Sequence, residues 1–345
     1  GSCDRRQERS WTGFSHALEP PRLVAMPTVI RTQGLTKAFG RLVAVEGLDL
    51  DVHEGEVFGF LGPNGAGKTT TLRLLCALIA PTSGSAEIRG LRLGRDDAEI
   101  RATVGILTEH PGLYERLSAV DNLRFFASLY GLDGRVAADQ IERLLQLMGL
   151  WDQRNDPVAT YSRGMKQKVA IVRAALHEPR ILFLDEPTTG LDPDAARTVR
   201  DFILALRAQG RTVFLCTHNL DEADRLCDRV AFFDRRVIRL DTPDRLRAEL
   251  YGRTTEIRLL LAPRPDDLAR VRGIEGVREA WLENGSILVA SADPLRTNPR
   301  LVRTLVDGGA EIAYVTERRA SLEDVYLRIV HEEVEPATTT AEERS

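Results

Sequence analysis

Gly62-Pro-Asn-Gly-Ala-Gly-Lys-Thr-Thr70 follows the apolar run Val57, Phe58, Gly59, Phe60, Leu61 and precedes a helical pattern from Leu72 to Leu78. The order is strand, glycine-rich loop, helix. Gly62, Gly67, Lys68 and Thr69 fit G-x-x-x-x-G-K-[ST], in which backbone N–H groups ring phosphates, the lysine reaches the β/γ oxygens and the hydroxyl holds Mg²⁺. Glycine is needed wherever a side chain would block that approach. The helix start adds its unpaired N–H groups and the positive end of its dipole. The expected phosphate-binding set is Gly62, Pro63, Asn64, Gly65, Ala66, Gly67, Lys68, Thr69 and Thr70.

Such a loop needs an acid, and Ile181-Leu-Phe-Leu184 supplies one by running into Asp185-Glu186-Pro187. A continuous apolar run of this kind reads as a central parallel strand, buried on both faces, with acids at the carboxyl end where α/β ligands bind. Asp185 is the expected Mg²⁺ partner of Thr69. Glu186 is the natural group to orient or deprotonate an attacking water. A further strand, Thr212 to Thr217, ends in His218, one βαβ unit later, so His218 can lie beside the same phosphate. Asp192-Pro193 starts the intervening helix.

The 345 residues and the net charge of −4 suggest two ordinary domains and no nucleic-acid surface held by bulk charge. Cys3, Cys76, Cys216 and Cys227 lack metal-ligand spacing. No apolar window reaches the length of a membrane span; the best, Leu74 to Ala80, is bounded by Arg73 and Pro81. Residues 1–25 carry a charged run and Pro20-Pro21 without an apolar signal core, and read as a disordered or non-native extension ahead of Met26.

Val29 to Leu50 alternate as strands, with a turn at Phe39-Gly40. Phe39 either stacks on an adenine ring or caps that hairpin. Pro81 to Gly84 read as a turn, Ala86 to Leu93 as one strand, and Val104 to Glu109 as a short buried strand. Residues 110–150 form a helical insertion whose apolar stripes serve as core or as a docking face. Tyr161-Ser-Arg-Gly-Met165 opens another helix with Ser162 at the N-cap, either as a plain cap or, with Gly164 and a bare helix end, as a second anion site.

These residues, in this order and spacing, resemble the nucleotide-binding subunits of ABC transporters over roughly residues 28–240, with Tyr161 to Met165 as the signature sequence. Gly112-Leu-Tyr114, Asp121-Asn-Leu123, Phe126 to Gly131 and Met165 are similar to the ATPases of type-two exporters, the daunorubicin-resistance group. The resemblance implies ATP and Mg²⁺ as ligands and a second copy of the chain in a head-to-tail ATP sandwich. It also implies an integral-membrane permease as partner, with the chain cytoplasmic and peripheral on the inner face of the membrane. Carried over, Phe39 stacks adenine, Thr69 and Asp185 hold Mg²⁺, and Lys68, Glu186 and His218 act on the γ-phosphate and water. Ser162 and Gly164 serve the other chain's nucleotide, and Asp192 couples the two sites. Two positions depart from the family pattern: Arg163 stands where a small glycine is usual, and Glu109 where a glutamine is usual, an acid that meets Mg²⁺ through water but cannot donate a hydrogen bond.

The expected fold is therefore α/β: a P-loop NTPase of ABC type over 28–240, its helical subdomain at about 110–178, followed by an accessory unit over 241–330. Residues 254–317 read strand, helix, strand, strand, helix, strand, the ferredoxin-like α+β arrangement, with Glu283-Asn-Gly-Ser286 as a hairpin turn. Ser321-Leu-Glu-Asp324 caps a last helix, as in the exporter group. This unit reads as regulatory or dimer-supporting, and 331–345 as a disordered tail. The function expected is an ATPase energising a permease for export of a drug, lipid or ion. The alternative is a soluble ABC ATPase working as a clamp on ribosomes or DNA.

Overall fold

Three short apolar runs, at residues 57–61, 181–185 and 212–217, lie side by side at the centre of the protein. The structure, a computed structural model, describes residues 26–109, 112–251, 253–318 and 320–329. The expectations for 1–25 and 331–345 fall outside these. The chain opens with a hairpin, β1 (Thr28–Phe39) and β2 (Leu42–His53), then enters β3 (Val57–Leu61), the glycine-rich loop and α1 (Lys68–Leu75). β4 (Ser83–Ile88), β5 (Leu91–Arg92), α2 (Asp97–Thr103) and β6 (Val104–Leu107) follow. Three helices come next: α3 (Ala119–Leu129), α4 (Gly134–Leu147) and α5 (Arg163–Ala175). Then β7 (Ile181–Asp185), α6 (Pro193–Ala208), β8 (Thr212–Thr217), α7 (Leu220–Leu226), β9 (Arg229–Asp234) and β10 (Arg236–Asp241) complete the frame.

The main sheet has the order β10-β9-β3-β8-β7-β6. It is parallel from β9 to β6, with β10 antiparallel at the edge. Every residue of β3, β7 and β8 is buried. The period of two along a strand divides them between two cores. Val57, Leu61, Leu182, Leu184, Val213 and Leu215 face the helices α3 to α7. Phe58, Phe60, Phe183 and Phe214 face the other way, toward α1 and the antiparallel sheet β2-β1-β4-β5. Their rings meet at 5.3–5.6 Å, and each such buried ring contributes about 2–3 kcal/mol. The alternation therefore holds the three strand ends in register, and all three point to one edge.

Local readings needed three corrections. The strand expected over Ala86–Leu93 is broken by a tight turn in which Arg89 and Gly90 both take positive φ, so β4 and β5 pair antiparallel instead. The turn expected at Pro81–Gly84 ends sooner, because Ser83 and Gly84 already belong to β4. The helix expected to reach Leu78 stops at Leu75, where Cys76 closes it and Ala77 turns at φ 53°.

Beyond β10 come α8 (Pro243–Tyr251), β11 (Arg253–Leu259), α9 (Pro265–Arg272), β12 (Val277–Glu283), β13 (Ser286–Ser291), α10 (Pro294–Asp307) and β14 (Ile312–Arg318). Their antiparallel sheet runs β12-β13-β11-β14 over its own apolar cluster, which includes Ile257, Val271, Ile287, Val289, Leu301 and Leu305. α10 runs through Pro299 from an Asp293 cap. The last helix, α11 (residues 322–329), starts with the expected reciprocal cap: Ser321 Oγ accepts the Asp324 N–H at 3.0 Å and Asp324 Oδ2 accepts the Ser321 N–H at 2.9 Å. Its apolar residues do not join the C-terminal cluster. Leu322, Val325 and Ile329 are buried in the core of the first unit, and Tyr326 lies 5.5 Å from the Phe232 ring on β9.

Candidate functional site

The turn between β3 and α1 is shaped by what its glycines leave room for. A Cβ on Gly62 would fall 2.1 Å from the Phe233 carbonyl oxygen, and one on Gly67 would fall 2.1 Å from that of Ala44. Gly67 also has φ 103° and caps α1 without a side chain, so the first N–H groups of the helix have no side-chain acceptor there. Lys68, 6% exposed, folds back to donate to the carbonyls of Gly62 at 2.7 Å and Pro63 at 3.1 Å. This loop forms the floor of a cleft of about 870 Å³, the size range of a small-molecule site.

The strand ends bring the acids to that floor. Thr69 Oγ1 donates to Asp185 Oδ2 at 2.8 Å. Asp185 is 2% exposed, and burial pushes its carboxyl above the usual carboxylate range. Glu186 and Glu109 add to that rise, while the Thr69 hydroxyl and Lys68 oppose it. A hydroxyl and a buried carboxylate in this excess of negative charge are hard oxygen donors, so the residues fit Mg²⁺.

Glu186 is held at both oxygens. Oε1 lies 2.8 Å from His218 Nδ1 and 3.8 Å from Lys68 Nζ. Oε2 accepts from Thr189 Oγ1 at 2.8 Å and from Thr217 Oγ1 at 3.4 Å. Its backbone sits at φ 49°, a region that costs a non-glycine residue about 1–2 kcal/mol. The left-handed turn ends β7 abruptly, and its N–H is held by the Cys216 carbonyl at 2.9 Å.

Of the residues expected from sequence, Phe39, Pro63, Asn64, Gly65, Gly67, Lys68, Thr69, Thr70, Glu109, Asp185, Glu186 and His218 line this cleft together. Phe39 stands half exposed at the hairpin end of β1, with Lys37 Nζ 5.0 Å over its ring. Gly62 and Ala66 shape the loop from behind. Ser162, Gly164 and Asp192 are not among its lining residues, although Tyr161, Arg163 and Lys166 of the same segment are: they sit where the starts of α5 and α6 abut, and a Cβ on Gly164 would lie 3.2 Å from that of Ala195. The start of α5 is not bare, since Ser162 Oγ accepts the Met165 N–H at 3.2 Å. Asp192 likewise caps α6 through the Ala195 N–H at 2.8 Å.

Several cleft residues were missed from sequence. Arg163 lies along the cleft against the Gly190 backbone. Gln167 is buried there and donates to the Pro187 carbonyl at 3.2 Å. Thr189, three residues past Glu186, was the most legible of the missed groups, because a hydroxyl at that spacing can close a turn on the acid.

The comparisons with known proteins agree with this geometry. The family model described as ABC transporter matches residues 45–189. A fluoroquinolones export ATP-binding protein of Mycobacterium tuberculosis is 43% identical over 304 residues, covering 87% of this chain and 93% of that protein. A daunorubicin resistance ATP-binding protein of Streptomyces coeruleorubidus is 37% identical over 306 residues, covering 87% and 94%. Among solved structures, a dimeric bacterial ABC transporter cassette superposes with a TM-score of 0.58 at 26% identity, over 62% of this chain and 98% of that one. With its phosphate loop, acid-bearing strand and fold accounted for, this chain belongs to the ABC transporter family and is one of its ATP-binding, ATP-hydrolysing subunits.

Proposed function

We propose that this subunit energises a separate membrane permease for export, and that it hydrolyses ATP as a head-to-tail pair of identical chains. The observation that carries the pairing is that the site is divided. Ser162, Gly164 and Asp192 lie outside the cleft that gathers the other expected ligands. Two antiparallel copies would bring each signature helix to the other's phosphate loop. The dimeric cassette among the structural relatives supports an assembly of two. Export is supported by the names of the fluoroquinolone and daunorubicin relatives, and such a subunit would sit on the inner face of the membrane through its permease. No helix among the described residues is long and apolar enough to cross a membrane. The clamp on ribosomes or DNA receives no support from these relatives.

In this reading the loop amides from Gly62 to Thr70 and Lys68 bind the phosphates, and Phe39 stacks on the adenine. Thr69 and Asp185 would hold Mg²⁺, which when bound neutralises charge on the β- and γ-oxygens. Glu186 orients the attacking water and accepts its proton, and His218 holds Glu186 while facing the γ-phosphate. Glu109 would help hold the same metal through water. We assign residues 28–240 to the ATPase, with its helical subdomain at 110–178, and 241–330 to an accessory unit. The order β12-β13-β11-β14 supports the ferredoxin-like description, although α11 packs with the ATPase core.

The test is size-exclusion chromatography of Glu186→Gln with MgATP, together with co-purification of the wild type from source-cell membranes. A stable dimer and a membrane-spanning companion are expected. A protein that stays monomeric at saturating ATP defeats the divided site, and recovery without a spanning companion defeats the transport role.

A further inference from the structure

Behind the cleft, a second acid reaches the hydroxyl that lies against Glu186. Glu222, in the first turn of α7, is 3% exposed. Its Oε2 lies 3.5 Å from Thr217 Oγ1, and the same hydroxyl lies 3.4 Å from Glu186 Oε2. Thr217 Oγ1 also accepts the Asn219 N–H at 3.0 Å, and Asn219 Oδ1 accepts the Glu222 N–H at 3.0 Å. Thr217, Asn219 and Glu222 thus close a ring around His218, the other β8-end residue in contact with Glu186. The Thr188 side chain, in the turn after β7, also favours the charged form of Glu222.

We propose that Glu222 is a positioning residue for hydrolysis, fixing Thr217 at the end of β8 so that Thr217 and His218 hold the Glu186 carboxylate toward the attacking water. The inference rests on the reading of Glu186 given above. Stability alone does not account for this side chain. Its Oε1 is buried with no hydrogen-bond partner among the described residues, a state that costs about 1–3 kcal/mol. Burial raises its pKa, the neighbouring Glu186 charge adds to the rise, and Arg200 on α6 opposes it. An apolar residue would fill the position without those costs. Groups kept against local stability gather where geometry serves function.

The experiment measures phosphate release and equilibrium ATP binding on the purified full chain, for Glu222→Ala, Glu222→Gln, Thr217→Val and the Thr217→Val/Glu222→Ala double variant. A loosened reacting group is expected to lower kcat by about 10- to 100-fold, with ATP affinity within about twofold of wild type. Glu222→Gln keeps the shape and can donate to Thr217 Oγ1 while the single Thr217 proton goes to Glu186, and should recover most of the loss. The double variant should be no slower than the worse single, because both act through one contact. Wild-type kcat in Glu222→Ala overturns the proposal, as do equal losses in affinity and rate, a glutamine variant as slow as alanine, or a multiplicative double variant. If Glu222→Ala does not fold, Thr217→Val decides: full kcat there is equally fatal. Glu186→Gln is run beside them. A fast Glu186→Gln sinks the reading of Glu186 itself, whereas a slow one beside a fast Glu222→Ala sinks only the positioning role.

Discussion

Glu186, at the end of β7, and Asn284, between β12 and β13, have the same φ of 49°, and for opposite reasons. Asn284-Gly285 is a two-residue hairpin turn, where a left-handed conformation is the local preference of the sequence. Glu186 has no such excuse: its angle is imposed by a buried strand that stops and by contacts from His218, Thr189 and Thr217. The surroundings repeat the contrast. Around Glu186 lie a helix start without a side-chain cap, an acid pushed up chiefly by its burial and a carboxylate oxygen on Glu222 with no partner among the described residues. In the C-terminal unit, Arg264 and Asp267 box the start of α9, Asp293 caps α10, and Arg318 pairs with Glu283. Ser291 Oγ is that unit's exception, buried without a partner.

The contrast breaks most sharply on rate. Glu186→Gln keeps the shape and removes the base, so phosphate release should fall by about 10²- to 10⁴-fold, while Asn284→Val should leave it unchanged. Equal rates in the two variants, by a single phosphate-release assay, would erase the distinction. The next effect asks which region owns α11. Leu322 is 1% exposed in the ATPase core, so Leu322→Ala should cost about 2–5 kcal/mol in the urea unfolding of that core. An unchanged midpoint would return α11 to the C-terminal unit.

His177 offers a strained polar group inside the scaffold of the ATPase. It stacks on Tyr130 at 3.8 Å, its Nε2 lies 3.2 Å from the Val104 carbonyl oxygen, and its buried Nδ1 has no partner among the described residues. Burial first, then Arg211, lowers its pKa to about 4 from 6.5, against the Val104 hydrogen bond. The unfolded chain therefore takes up the proton first, and stability falls as pH drops below about 6.5, until the folded form also protonates near 4. Between pH 7 and 5 the loss is about 2 kcal/mol. Urea midpoints for His177→Asn should show a flatter pH profile than wild type, and parallel profiles would remove the residue from the acid response. The smallest effect belongs to the turn: Asn284→Val forces a β-branched residue into the left-handed region and should cost about 1–2 kcal/mol, read from thermal unfolding. No cost would mean the hairpin does not depend on its turn chemistry.

The parts of the fold that could be read in advance were those specified within a few residues. The phosphate loop, the acid-terminated strand β7, the Ser162 cap and the strand–helix order of the C-terminal unit all carry their cause locally. The division of β4 from β5 was missed because Arg89 takes a positive φ that no arginine announces. Gly84 looked like a turn residue, yet it is required by packing: a Cβ there would lie 2.2 Å from the Gly34 carbonyl oxygen. Arg163 and Gln167 line the cleft and Glu222 backs it from positions beside Ser162, Gly164 and His218, and only tertiary contact reveals what they touch. The alternation of Phe58, Phe60, Phe183 and Phe214 toward one core was visible as pattern, but its partner, the β1–β2–β4 sheet, was not.

The return of α11 to the ATPase core has a consequence for the order in which a nascent chain can finish. The surface beside Phe232 and Leu246 is complete only when Leu322, Val325 and Ile329 arrive. About 80 residues separate the end of β10 from α11, which is on the order of 4–16 s of synthesis at typical elongation rates. Through that interval the emerging ATPase unit carries an open apolar seam, and the C-terminal unit must fold as a loop anchored at one end. Closure of the seam by α11 then completes the core of the catalytic half, so a chain broken off before residue 322 is marked by exposed core.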